Sequence, residues 1–269
     1  MAASWARALL ASYEIEAVRR AVRILRRLAA ANGGVGVSEL ARELELGKAS
    51  AFRLLRTLVE LGLAEQDPET RQYQLGPELI VLGQAASEAN DLRKAARLPM
   101  QRLTASSGMP SYLNVGGGRE VVCLEHVPSL ASIDLYGKAG HTMPYHACPS
   151  GLVLLAFGPG DRFERALAVG LRRYARNTIV SKRALRAALA GVRARGYAIG
   201  TDDLEDGVTS VAAPICDVRG NVVASLGLAG FSHLFENRLD ALVEAVERTA
   251  TDISTGGRRP VADARVGVV

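Results

Sequence analysis

Cysteine is scarce in this chain and never clustered. Cys123, Cys148 and Cys216 stand far apart among 269 residues, with no CxxC spacing. That excludes a disulfide framework or a zinc finger as the organising device. No apolar run reaches the length of a membrane span, and the N-terminus lacks a signal peptide's apolar core and cleavage site. A cytoplasmic protein with no membrane partner is therefore expected. Aromatic residues are few, 5% against 48% hydrophobic residues in all, an ordinary balance for a soluble protein rich in Ala and Leu. The glycine run Gly116-Gly117-Gly118 lacks the lysine and following helix of a P-loop, so it reads as a hairpin turn and not a phosphate cradle. The net charge of +5 is too small to identify a partner.

Its placement says more. Between Ala17 and Leu63 nine Lys/Arg stand against four Glu, a basic patch compatible with nucleic acid. The chain length suits two domains. The stretch from Val37 to Gly62 reads as two short helices with a tight joint. Ser38 is a fair N-cap for the first, and Glu45-Leu46-Gly47 makes the bend, with Gly47 supplying backbone freedom. In the second, Ala51, Leu54, Leu55 and Leu58 recur at helical spacing as a buried stripe. Lys48, Ser50, Arg53 and Thr57 then lie opposite, with Phe52 and Arg56 at the margins. One packed face and one basic, hydroxyl-bearing face suit the DNA major groove. A helix from about Ile15 to Ala31, with Val18, Ala21, Val22, Leu25 and Leu28 as its apolar stripe, precedes the pair. Two short strands, Leu63 to Gln66 and Arg71 to Leu75, follow it around Asp67-Pro68-Glu69-Thr70. Three helices and a hairpin give the order of a winged helix.

Beyond Pro77, helical segments are expected at Glu78 to Asn90 and Leu92 to Ser106. Strands follow at Ser111 to Val115, Glu120 to Glu125 and Ser132 to Tyr136, then a loop from Lys138 to Ser150 and a short helix from Gly151 to Phe157. Helices at about Asp161 to Val169 and Lys182 to Arg195 precede a strand at Tyr197 to Gly200. A strand pair at Val208 to Asp217 and Asn221 to Ala229 and a last helix from Phe235 to Ile253 complete an α+β domain on a mostly antiparallel sheet. The expected domains are a winged helix at 13–75, a helical linker at 76–108, an effector domain at 109–253 and a disordered tail at 254–269.

The motifs SELARELEL, GKASAFRLLRTLVELGL, DPETRQYQLG, PYHACPSG, RARGYAIGTDD and GVTSVAAPI, in this order and spacing, resemble the IclR family of bacterial transcriptional regulators. The chain departs from that pattern at Gly47 and Ala49, where the family usually has Pro and Ser, and at Arg71, where the wing turn usually carries Gly. The resemblance implies a DNA-binding regulator with a GAF-like C-terminal fold that binds a small organic-acid effector, and no cofactor. It also implies a homodimer through the first and linker helices, with dimers pairing again into a tetramer. DNA contacts are expected from Lys48, Ser50, Phe52, Arg53, Arg56, Thr57 and Arg71. The resemblance places Leu135, Pro149, Ser150, Asp202, Val208, Ser210, Gly227 and Ala229 around the effector. Independently, Ser150 and Gly151 open a helix whose free N–H groups suit a carboxylate. Gly227 and Ala229 stand where relatives recognising very small acids can present hydroxyls, so a larger apolar or aromatic acid is expected.

Two other chemistries are weighed against this. His146 and Cys148 could form a nucleophile pair beside a helix N-terminus, making the chain a hydrolase or lyase with an attached DNA-binding domain. Residues two apart in an extended loop point opposite ways, and a histidine hydrogen-bonded to backbone is the simpler expectation. The acidic cluster Asp202, Asp203, Glu205 and Asp206 lacks the spacing of an EF-hand, so no metal is expected.

Overall fold

The computed structural model describes residues 15–31, 33–88, 91–130 and 139–254, and the chain divides into two compact units, Met1–Ala89 and Asn90–Val269.

The first unit holds helices α1 (Glu16–Ala29), α2 (Val37–Glu43) and α3 (Lys48–Glu60), a hairpin of β1 (Ala64–Gln66) and β2 (Tyr73–Leu75), and helix α4 (Glu78–Glu88). Val35 adds an antiparallel bridge to Tyr73 beside the hairpin. The core is small and continuous: Ile24 and Leu28 of α1, Leu40 of α2, Leu55 and Leu58 of α3, with Val35, Ala64 and Tyr73. Burying one such leucine contributes about 1.5–3 kcal/mol. The expected stripe of α1 is displaced by this packing. Ile24 is fully buried, whereas Val18 and Val22 are 58% and 41% exposed.

Two local expectations are corrected. The helix α2 begins two residues earlier than a cap at Ser38 would allow, with Gly36 at the N-cap position. At the bend, the left-handed backbone falls on Glu45 (φ 55°), while Gly47 is extended (φ −62°, ψ 137°) and caps α3. The wing returns so closely that a β-carbon on Gly76 would lie 2.1 Å from the Gly62 carbonyl oxygen. Gly76 N–H donates to Leu63 O at 3.0 Å and Glu78 N–H to Gly62 O at 3.1 Å. Only glycine allows this crossing.

The second unit opens on α5 (Asp91–Ser107). A six-stranded antiparallel sheet follows, built from β3 (Ser111–Gly116), β4 (Val121–Val127), β5 (Thr142–Met143), β6 (Ala198–Thr201), β7 (Val208–Cys216) and β8 (Val222–Phe231). Its order is β5-β4-β3-β8-β7-β6. Helices α6 (Pro149–Ala156), α7 (Gly160–Val169), α8 (Lys182–Arg195) and α9 (Leu239–Ile253) complete it, with 3-10 turns at Tyr145–Ala147 and Ser232–Phe235. The strand expected at Ser132 to Tyr136 lies outside the described residues, and the loop expected from Lys138 contains β5 and a 3-10 turn.

Period-two alternation divides β7 and β8 between two cores. Val211, Ala213, Ile215, Ala224, Leu226 and Leu228 pack with Met100 and Leu103 of α5 and Leu242, Val243 and Val246 of α9. Ala212 and Cys216 face the other way, toward Leu152 to Ala156 of α6 and Leu185, Leu189 and Val192 of α8. The result is an α+β unit with helices on both faces of one antiparallel sheet. That sheet, with α6 standing on it, positions the candidate cavity.

Candidate functional site

The first candidate surface is the outer face of α3. Ala51, Leu55 and Leu58 anchor the helix, being 0%, 0% and 4% exposed. Lys48, Phe52, Arg53, Arg56 and Thr57 are all exposed and Ser50 is half-buried. The structure therefore gathers these six on one side of one helix. Thr57 donates its hydroxyl back to Arg53 O at 3.1 Å, and Arg56 pairs with Glu60 at 3.0 Å. Arg71 sits at the wing tip with φ 59°, held by its N–H to Asp67 O at 3.0 Å. Asp67 also accepts from Thr70 N–H at 2.7 Å and Glu69 N–H at 2.9 Å. These bonds hold its carboxyl below the usual range, Thr70 contributing most. Arg27 braces the helix pair from behind, bonded to Glu39 and Glu43 of α2.

The second candidate lies between α6 and the sheet. A cavity of about 20 Å³, open at one side, is lined by Tyr112, Asn114, Met143, Cys148, Pro149, Ser150, Ser210, Val211, Gly227, Leu228 and Ala229. It is narrow, with room for about one water molecule while the side chains stay as they are. Five residues expected around an effector meet here: Pro149, Ser150, Ser210, Gly227 and Ala229. Leu135 lies outside the described residues.

Asp202 and Val208 are not among the lining residues. Asp202 takes φ 57°, accepts from Gly207 N–H at 2.6 Å and pairs with Arg176 at 3.1 Å. Its carboxylate closes the turn into β7. Its neighbour Asp203 lies closer to the cavity, its carboxylate near Pro149. Burial first, then the Asp202 charge, pushes the Asp203 carboxyl up to about 6.

Why α6 starts where it does is local chemistry. Pro149 occupies the first turn, where its missing N–H costs nothing, and Cys148 takes the N-cap position, its sulfur accepting from Gly151 N–H at 3.4 Å. Burial pushes this thiol up to about 12, which disfavours the thiolate that a nucleophile needs. His146 is buried and bonded through Nε2 to Arg172 O at 2.9 Å, the backbone-bonded histidine expected. Among the described residues no group of His, Cys, Asp and Glu could hold a metal.

Sequence reasoning missed the residue that reaches Ser150. Asn114 of β3 is 1% exposed and donates through Nδ2 to Ser150 Oγ at 2.9 Å. Gly227 stands beside them: a β-carbon there would be 3.4 Å from Ser150 Oγ and 2.7 Å from Val211 O. The absent side chain leaves the Ser150 hydroxyl facing the cavity. The arrangement offers the hydroxyls of Ser150 and Ser210, the Asn114 amide and a helix N-terminus in a mainly apolar chamber, which suits an organic acid. Among the described residues no helix is long and apolar enough to cross a membrane.

Comparison with known proteins gives two family matches: the IclR helix-turn-helix domain over residues 17–68 and the bacterial transcriptional regulator IclR C-terminal domain over residues 84–255. A glycerol operon regulatory protein of Streptomyces griseus is 33% identical over 80% of this chain and 85% of its own length. A crystal structure of an IclR transcriptional regulator from Alicyclobacillus acidocaldarius aligns with TM-score 0.76 at 26% identity, covering 90% of this chain and 98% of that one. An IclR homolog from Microbacterium hydrocarbonoxydans, solved in complex with 4-hydroxybenzoate, aligns with TM-score 0.71 at 28% identity, covering 88% and 97%.

Proposed function

The chain belongs to the IclR family of bacterial transcriptional regulators, and from that premise we propose how its residues carry the work. It is a regulator and not an enzyme, with a helix-turn-helix DNA-binding domain and a C-terminal effector-binding domain. The finer reading concerns which groups meet DNA, which meet the effector, and what the effector is.

On this reading α3 enters the major groove. Arg53 pairs with a guanine edge, Phe52 meets a thymine methyl, and Ser50 and Thr57 bond phosphate or base. Lys48, Arg56 and Arg71 neutralise phosphates. The supporting observation is the face itself, where six expected contact residues are gathered over a packed stripe of Ala51, Leu55 and Leu58. A winged unit this small covers one half-site, so a homodimer binds a near-palindrome. Exposed apolar side chains on α4 (Ile80 75%, Val81 59%, Leu82 52%) and at the start of α1 (Ile15 69% at its N-cap, Val18 58%) support self-association through these helices. Sequencing DNA retained by the protein from a genomic library tests this. Enrichment of a near-palindrome is expected, and no enrichment would overturn it.

The effector is an organic acid with an apolar or aromatic body. Its carboxylate sits at the start of α6 with Ser150, and its body lies against Gly227, Ala229 and Tyr112. The narrowness of the cavity requires a side chain to yield on entry, and Met143, with its flexible thioether, is the lining residue best able to do so. The 4-hydroxybenzoate in the Microbacterium homolog is an acid of this class. Calorimetry against organic acids is the test. Aromatic acids should bind and Ser150→Val should weaken them, whereas tight binding of glyoxylate or pyruvate alone would overturn the assignment.

A further inference from the structure

Directly opposite residues in an antiparallel ladder share a face, and β3 and β8 pair Tyr112 with Gly227 and Asn114 with Ser225. Ser225, Gly227 and Ala229, spaced by two on β8, therefore share the face turned toward α6. This orders the sheet beneath the cavity into rows, with Tyr112, Gly227 and Asn114 lining it and Ser225 just behind the lining. The Tyr112–Gly227 row is aromatic, with no side chain on the glycine. The Asn114–Ser225 row, one step further along the strands, is polar and closed: Asn114 is 1% exposed and Ser225 0%.

Both residues of that closed row carry an unpartnered atom. Asn114 Nδ2 bonds Ser150, but Asn114 Oδ1 and Ser225 Oγ bond nothing among the described residues. A buried polar group left this way is costly, and native folds retain few of them. Ser150 joins this row to the cavity, being bonded to Asn114 and lying beside the vacant β-carbon position of Gly227.

We propose that the Asn114–Ser225 row is a recognition niche for a hydroxyl group on the effector, so that the ligand is a hydroxylated carboxylic acid. The assignment rests on the organic-acid reading above and narrows it. The chemistry follows from what each group can do. The amide of Asn114 offers an acceptor, or a donor if its two ends are exchanged. Ser225 offers either. A hydroxyl gives one hydrogen bond and takes another, so it completes the row in both orientations of the amide. With the amide placed so that Nδ2 bonds Ser150, a carboxylate, which only accepts, would face Asn114 Oδ1 unfavourably. An ammonium only donates and would leave the Ser225 proton unused. A methylene would leave both atoms orphaned, and sites that bond a ligand hydroxyl discriminate strongly against analogues lacking it.

Matched acids with and without the hydroxyl test the niche: 4-hydroxybenzoate against benzoate, and p-coumarate against cinnamate, each titrated by calorimetry into the full chain. The hydroxylated member of at least one pair should bind at least about 10-fold tighter, the scale set by losing one buried hydrogen bond. Ser225→Ala should reduce that preference below about 3-fold while the melting temperature of the ligand-free protein holds or rises, because an orphaned polar atom has been removed. Asn114→Leu should abolish the preference as well. Equal affinity within both pairs overturns the niche and leaves the organic-acid reading standing. A ligand-free Ser225→Ala protein that melts lower, with the preference intact, also overturns it, since the row is then a structural water site. Binding by none of the four acids rejects the aromatic-acid reading, and the niche with it.

Discussion

The carboxylate of Asp203 lies over the backbone of Gly200, its Oδ2 only 1.9 Å from where a β-carbon on that glycine would stand, with Pro149 Cγ 3.0 Å from the same point. The acid is thus wedged between β6 and the start of α6, with Asp202 adding like charge. Its carboxyl is raised from 3.8 to about 6. A raised folded-state value means the folded protein holds this proton more tightly than the unfolded chain. The stabilising effect is complete below pH 4 and is lost as pH rises through 6. Asp203→Asn should raise the melting temperature at pH 7 and leave it nearly unchanged at pH 4. Anionic effectors should also bind more tightly below pH 6 than above it in the wild type, and Asp203→Asn should flatten that dependence. Melting curves and calorimetry across pH 4–8 check both.

Arg53→Ala should weaken operator binding by roughly 1–3 kcal/mol and relax preference at one base position. Lys48→Ala should weaken all sequences alike and lower the salt slope by about one unit. A footprint and a salt titration separate the two. Unchanged affinity and preference in Arg53→Ala would remove α3 from the groove.

Arg71 holds a left-handed backbone at the wing tip that glycine adopts without strain. Arg71→Gly should stabilise the fold by about 0.5–1 kcal/mol, the relief of strain exceeding the entropy glycine loses. It should at the same time reduce the salt slope of DNA binding by about one. A variant that binds DNA as before would free Arg71 of any phosphate role.

Gly47 has a backbone that proline shares, φ −62°, and its N–H donates to no acceptor among the described residues. Gly47→Pro should stabilise the protein by about 0.4–1 kcal/mol by restricting the unfolded chain. Denaturant midpoints measure it. A lower midpoint would mean that Leu46, bonded to Ala41 O, cannot accommodate a following proline.

What could be read from the sequence was what repeats locally. The buried stripe of α3 and the order of strands and helices follow from spacing, and α8 is found at the expected residues, Lys182–Arg195. The errors come where two local solutions compete. At the bend, glycine was the obvious candidate for the unusual backbone, yet Glu45 takes it because Leu46 N–H must reach Ala41 O. In α1, Val18 and Val22 have the right period, but Ile24 is the residue over which the wing closes. The cavity was legible only in part. Ser150 is announced by its helix start, and the resemblance supplies the positions on β7 and β8. Asn114 carries no local signal: it meets Ser225 only because β3 pairs with β8 across more than a hundred residues, and no periodicity encodes that register.

The crossing of Gly76 over Gly62 has a mechanical consequence. The start of α4 is riveted to the base of the wing by two backbone hydrogen bonds and a contact too tight for any other residue, and α3 ends at the same knot. The winged unit therefore has no slack between α4 and the face bearing Arg53. A torque applied to α4 turns that face as one piece, as a key turns when its shank is twisted, and a larger side chain at position 76 would break the shank where it joins the bit.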